Sequence, residues 1–265
     1  MTPPYCSNNP ALAVTDVSGV WAIRALATQI VTAPVVGALH PRSIFYMLVN
    51  LTQSGTDVVA DGRYCDRGEI DQPGSLATVV LPDAWAHTEK AFRRPGTLTP
   101  GPTGQGALFF PTLVELAGAV PGPDTDALPV DANDVRVVDE DHDGHPGITI
   151  NLVGVVSGSL YVAQRQTTAL TAVQVAADRF EGGLDFNSEQ RLLGGSSSAL
   201  TSLYSQAVSS PDPTPCASTF AMVKVANAPI SAGLDGAVAD GGGSGSDGSP
   251  SCEWLRSQEA TLFPQ

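Results

Sequence analysis

The apolar residues of this chain come in short runs broken by turn formers, and that spacing limits the fold more than any other feature. Nine runs, at 19–31, 42–53, 57–65, 76–81, 107–116, 148–156, 159–168, 172–177 and 217–225, are of strand type, several rich in Val, Ile, Phe, Tyr and Thr and many bounded by Gly, Pro, Asn or Asp. Such a pattern reads as strands separated by turns and predicts an all-β domain. Charged residues make up only 15% of the chain, against about a quarter in ordinary globular proteins, so few side chains are available to coat long helices. Helical spacing is clear only at 252–263, where Trp254, Leu255, Gln258 and Leu262 share a face behind Ser251 as N-cap. The Pro- and Gly-rich stretches 95–106 and 120–129 separate no regions of distinct composition and read as long loops. All-β domains reach 265 residues as one unit. The expectation is a single β domain over 1–265, containing an acidic loop at 131–147 and a disordered Gly/Ser-rich insertion at 226–251.

The net charge of −14 excludes a surface that neutralises phosphates, and with it nucleic acid as a partner. No run approaches the ~20 apolar residues of a membrane span. The N-terminus lacks the basic and apolar regions of a secretion signal, so a secreted chain would have had its signal removed. Cys6, Cys65, Cys216 and Cys252 are even in number, far apart and without a Cys-x-x-Cys. This predicts two disulfides and an extracellular, periplasmic or cell-envelope location; four buried thiols in the cytoplasm are the alternative. Of the three possible pairings, the local one, Cys6 with Cys65 and Cys216 with Cys252, would tie each terminus to the body of the fold and close the low-complexity insertion.

Eight carboxylates fall between Asp124 and Asp143, with only Arg136 to offset them. Within this run, Asp139-Glu-Asp141-His-Asp143-Gly144-His145-Pro146-Gly147 places a carboxylate at every second position and then a glycine. Three alternating carboxylates on a tight loop can converge on one hard cation, and the predicted ion is calcium. The motif resembles the calcium loops of EF-hands, dockerins and thrombospondin type 3 repeats. The resemblance implies Asp139, Asp141, Asp143 and the His145 carbonyl as ligands. Ile150 stands where an EF-hand has its bidentate Glu, and the flanking sequence is strand-like, so a full EF-hand is excluded. The remaining ligand would be water, Asn151 or an upstream carboxylate, Asp131 or Asp134, with affinity at the weak end, ~10⁻⁴ to 10⁻³ M. A solvated acidic turn held by Asx bonds, or a transition metal on His142 and His145, are the competing readings.

Gly19-Val-Trp21 ahead of the first long run resembles the Gly-x-Trp signature of lipocalins and related calycin barrels. The resemblance implies an antiparallel up-and-down β-barrel whose floor is closed by Trp21, with a late Arg stacked over it, for which Arg165 is the candidate. The alternative is a β-sandwich in which Trp21 is a core aromatic. In 42–51 both alternating faces are apolar, so that strand is expected to be covered on each side.

No Gly-x-Ser-x-Gly elbow, P-loop, His-Glu-x-x-His or dinucleotide fingerprint is present, and four histidines are too scattered to mark a triad. Enzymatic activity is therefore not assigned. The leading reading is a secreted, noncatalytic binding protein that holds a small apolar ligand in a barrel and carries a structural calcium ion. The second is a structural or adhesive envelope protein contacting proteins or glycans. An extracellular hydrolase is third, with Glu115, Asp178, Glu181 and Asp185 near strands but none favoured as catalytic. A hollow of ~300 Å³ or more would favour the first, an exposed apolar patch the second, and two facing carboxylates the third.

Overall fold

The computed structural model describes residues 6, 16–33, 37–70, 77–99, 107–123, 126–205, 207–226 and 250–264. Its elements, in chain order, are β1 (Gly19–Ala33), β2 (Gly37–Leu39), β3 (Arg42–Ser54), β4 (Asp57–Ile70), β5 (Ala77–Val80), α1 (Asp83–Ala86), β6 (Ala91–Thr99), β7 (Ala107–Ala117), β8 (Ile148–Gly154), β9 (Gly158–Ala176), β10 (Arg179–Gly195), α2 (Ser198–Tyr204), β11 (Val208–Pro211), β12 (Thr219–Ala226) and α3 (Cys252–Leu262). All-β architecture follows the strand-type spacing of the sequence.

Eight strands, β1, β3, β4, β6, β7, β9, β10 and β12, pair in that order, and β12 returns to β1. Every pairing is antiparallel, so the ring is an up-and-down barrel and not a sandwich. Closure leaves the ring without a free edge. Two strands outgrow it at one end. The last residues of β1 pair with β2 and β11, and the first residues of β9 pair with β8, which in turn pairs with β5. That end is the mouth.

Alternation decides what faces inward. On β3, Phe45, Met47, Val49 and Leu51 join the main core inside the ring, while Tyr46 and Leu48 pack under α3 on the outside. Both faces of this strand are covered, as its two apolar faces predict. The opposite end of the barrel is closed by Val17 and Trp21, both buried; the Trp21 Nε1 donates to the Val17 carbonyl at 2.8 Å and its ring meets Phe180 edge-on at 5.4 Å. Between that end and the mouth the packed interior holds a space of ≈ 40 Å³, lined by Ile23, Met47, Phe110 and Phe186 among others.

The disulfides differ from the local pairing. Cys6 joins Cys216, and Cys65 joins Cys252, with Cα separations of 5.3 and 4.9 Å. The reason is architectural. Cys65 points outward from β4 onto the barrel wall where α3 docks, so it meets the first residue of that helix, and Cys6 is left to the segment before β12. No cysteine is free, which fits an oxidising, non-cytoplasmic compartment. No helix among the described residues is long and apolar enough to cross a membrane.

α3 begins as the sequence predicts, with the Ser251 side chain accepting from the Trp254 amide. Three expectations are corrected. Pro95 to Thr99 lie in β6 rather than in a loop; the runs 159–168 and 172–177 are one strand, β9; and β10, absent from the sequence reading, supplies an eighth stave. Of the Gly/Ser-rich insertion, 227–249 lies outside the described residues.

Candidate functional site

At the mouth the barrel opens into a cavity of ≈ 810 Å³. Its floor is the partition between cavity and packed core, since Phe45, Tyr64, Gln166 and Phe186 line both. Phe45 lies 6.2 Å from both the Tyr64 and the Phe186 ring, so the partition is a continuous aromatic layer. The far wall is a separate apolar cluster in which Trp85, Ile148, Leu160 and Leu200 are buried. It is built by the strand extensions together with α1 and α2.

A bulge in β4 sets the polar lining. Tyr46 pairs with Asp66 and Met47 with Tyr64, so Cys65 is an extra residue in the ladder. An extra residue reverses the alternation beyond it. Tyr64 faces inward before the bulge, and after it Arg67 and Glu69 line the cavity while Asp66 is turned away. The freed Cys65 carbonyl accepts from Arg256 of α3 at 2.7 Å.

Three polar groups gather at the floor. The Tyr64 hydroxyl donates to Glu115 at 2.5 Å and the Gln166 amide donates to the same oxygen at 3.1 Å. Burial pushes the Tyr64 hydroxyl well above its ordinary pKa, and the neighbouring Glu115 charge adds to this. Arg67 lies 4.7 Å from the Tyr64 ring and 4.6 Å from the Trp85 ring, and donates to the carbonyls of Trp85 and Thr88. Glu69 accepts from Ser43, its cross-strand partner, at 2.5 Å. Burial raises the Glu69 carboxyl to about 7, with the Ser43 hydrogen bond opposing. Lys90 donates to the Leu116 carbonyl and forms an ion pair with Glu140 at 2.9 Å. Below the floor, Arg94 is buried in the core and donates to the carbonyls of Phe110, Pro111 and Thr168.

The acidic loop docks beside the mouth. Gly118 and Gly147, both with positive φ, meet against the Val162 carbonyl of β9; a Cβ on Gly118 would lie 2.7 Å from both the Gly147 Cα and that oxygen. Asp139, Asp141 and Asp143 present carboxylate oxygens within 4.8 Å of one another, a group that could hold a metal ion. Positive φ at His142 and Gly144 winds the loop tightly enough for this. The Asp139 oxygens accept from the amides of Asp143 and Gly144. Asp141 is 3% exposed; its Oδ2 accepts from the Thr149 amide at 2.7 Å, and its Oδ1 is buried without a hydrogen-bond partner. Burial pushes the Asp141 carboxyl up, with the Asp143 charge reinforcing it. The Asp143 oxygens accept from the His145 amide and the Thr149 hydroxyl, which leaves the buried Asp141 Oδ1 as the unpartnered oxygen of the group, one that a cation would satisfy.

Other candidate residues lie elsewhere. Asp134 is taken by Arg136, to which both its oxygens are bonded, and the Asn151 amide oxygen accepts from Ser159 across the β8–β9 pair. The Asp131 carboxylate accepts from the Asn133 amide. The His145 ring stacks on Tyr161 with centroids 4.0 Å apart. Arg165 does not stack on Trp21: it pairs with Asp126 at 3.1 Å and Glu189 at 3.7 Å. The cation over Trp21 is Lys224 of β12, 5.7 Å from the ring. Of the four carboxylates weighed for hydrolysis, Glu115 is the one that lines the cavity. Glu69, Arg67 and Trp85 escaped sequence reasoning, because only the bulge phase brings the first two inward.

Fold and cavity together define an eight-stranded up-and-down β-barrel, packed at one end and open at the other. Comparison with known protein families, with curated proteins and with solved structures finds no match.

Proposed function

We propose that this is a secreted, noncatalytic binding protein of calycin-like type that buries a small, mainly apolar molecule in the mouth of its barrel, and that its acidic loop holds a structural calcium ion. The observation that carries the reading is the cavity. Its ≈ 810 Å³ falls within the range of small-molecule sites, ~300–1,000 Å³, and most of its lining surface is apolar, with polar and charged side chains interspersed. The neutral fluorophore N-phenyl-1-naphthylamine is expected to bind saturably at one site per chain; the absence of saturable binding would refute the reading. Calcium at millimolar concentration is expected to raise the melting temperature of the parent protein and not that of an Asp141→Ala, Asp143→Ala variant. An equal rise in both would reject the loop as the site.

A further inference from the structure

The charged groups around the cavity are unequally satisfied. Arg67 is held between the Tyr64 and Trp85 rings and donates to two carbonyls, at 3.2 and 2.7 Å. Lys90 is held by the Leu116 carbonyl and by Glu140. Arg191 sits at the exposed rim. On the acidic side, Glu115 takes two hydrogen bonds, from Tyr64 and Gln166, and Glu189 pairs with Arg165. Glu69 stands apart. Among the described residues its carboxylate has one hydrogen bond, from Ser43, and no ion-pair partner. In the cavity wall Glu69 is half-buried; a carboxylate partly withdrawn from water without a counter-ion is disfavoured in its charged form, and a cation entering the cavity would relieve that penalty. A ligand carboxylate would meet two interior cations already engaged and two carboxylates that repel it.

We propose that the cavity selects an apolar molecule bearing an amine, whose ammonium group pairs with the Glu69 carboxylate. This rests on the reading of the cavity as a ligand site. The net charge of −14 would also draw cations toward the molecule.

The test is displacement of N-phenyl-1-naphthylamine at pH 8 by decylamine, decanol and decanoate, which share one chain and differ in charge. Decylamine is expected to bind the parent about tenfold or more tighter than decanol, and decanoate weakest, the scale of one charge-assisted contact. In a Glu69→Gln variant decylamine is expected to fall to the level of decanol, with decanol unchanged. Decanol or decanoate binding the parent as tightly as decylamine would overturn the proposal while leaving the cavity reading intact, as would an undiminished amine preference in the variant. Failure of the fluorophore and all three compounds would sink the cavity reading itself. Should the variant not fold, the ranking of the three compounds on the parent still decides.

Discussion

Glu69 carries a signature that solution measurements can read without any ligand. Its carboxyl is raised to about 7 by burial, so between the ordinary carboxylate range and about 7 the folded chain holds a proton that the unfolded chain has released. Stability therefore falls as pH rises through that window. A Glu69→Gln variant is expected to exceed the parent in stability at pH 8, by about 1–2 kcal/mol after discounting for partial exposure, and to lose that advantage by pH 5. Urea unfolding of both proteins at the two pH values checks it, and the comparison isolates Glu69 from Glu259, which burial also raises to about 7 with help from Asp66. An advantage independent of pH would contradict the assignment. At this scale the acidic loop was legible and the cavity was not. Asp139, Asp141 and Asp143 are close in sequence and converge through local loop geometry, so their spacing suffices. The cation over Trp21 comes from Lys224, two hundred residues away in the pairing of β12 with β1, and no local pattern distinguishes it from Arg165.

At the scale of elements, two bulges do most to shape the interior. The first, at Cys65, turns Arg67 and Glu69 inward. The second, between Phe110 and Leu113 in β7, surrounds Pro111, which cannot donate to a ladder. Arg94 reaches across from β6 to the carbonyls left there. An Arg94→Leu substitution would strand those buried acceptors, and is expected to cost about 1–3 kcal/mol, read as a lowered urea midpoint; an unchanged midpoint would show that water or relaxation satisfies them. Close packing against β7 explains why β6 reads as a loop. Pro95-Gly96 looks like a turn signal, yet Gly96 is needed because a Cβ there would lie 2.7 Å from the Phe109 carbonyl and overlap the Phe110 ring. β10 was hidden for a similar reason: its inward positions, Phe180, Gly182, Leu184 and Phe186, alternate strictly, but glycines and acidic residues between them dilute the apolar run. α3 was legible because its amphipathic face and Ser251 cap are local. Replacing Cys65 and Cys252 with Ser is expected to speed hydrogen exchange across α3 while β3 stays protected under its core contacts; equal loss of protection in both would mean that the bridge supports the wall and not only the helix.

For the whole molecule, strand count and alternation pointed to the all-β class, whereas ring closure and the mouth depend on β1 and β9 outgrowing their neighbours, a difference in length visible only once the pairings are known. The result is one barrel with two interiors, a packed half closed by Trp21 and an open half walled by Trp85. That division can be read with a single titration, using 10-bromodecanol, whose bromine quenches tryptophan only at short range. The account predicts saturable quenching of the parent protein at one equivalent, and loss of that saturable component in a Trp85→Phe variant, because Trp21 and Trp254 lie away from the cavity lining. Quenching that never saturates, or that saturates unchanged in the variant, would contradict it.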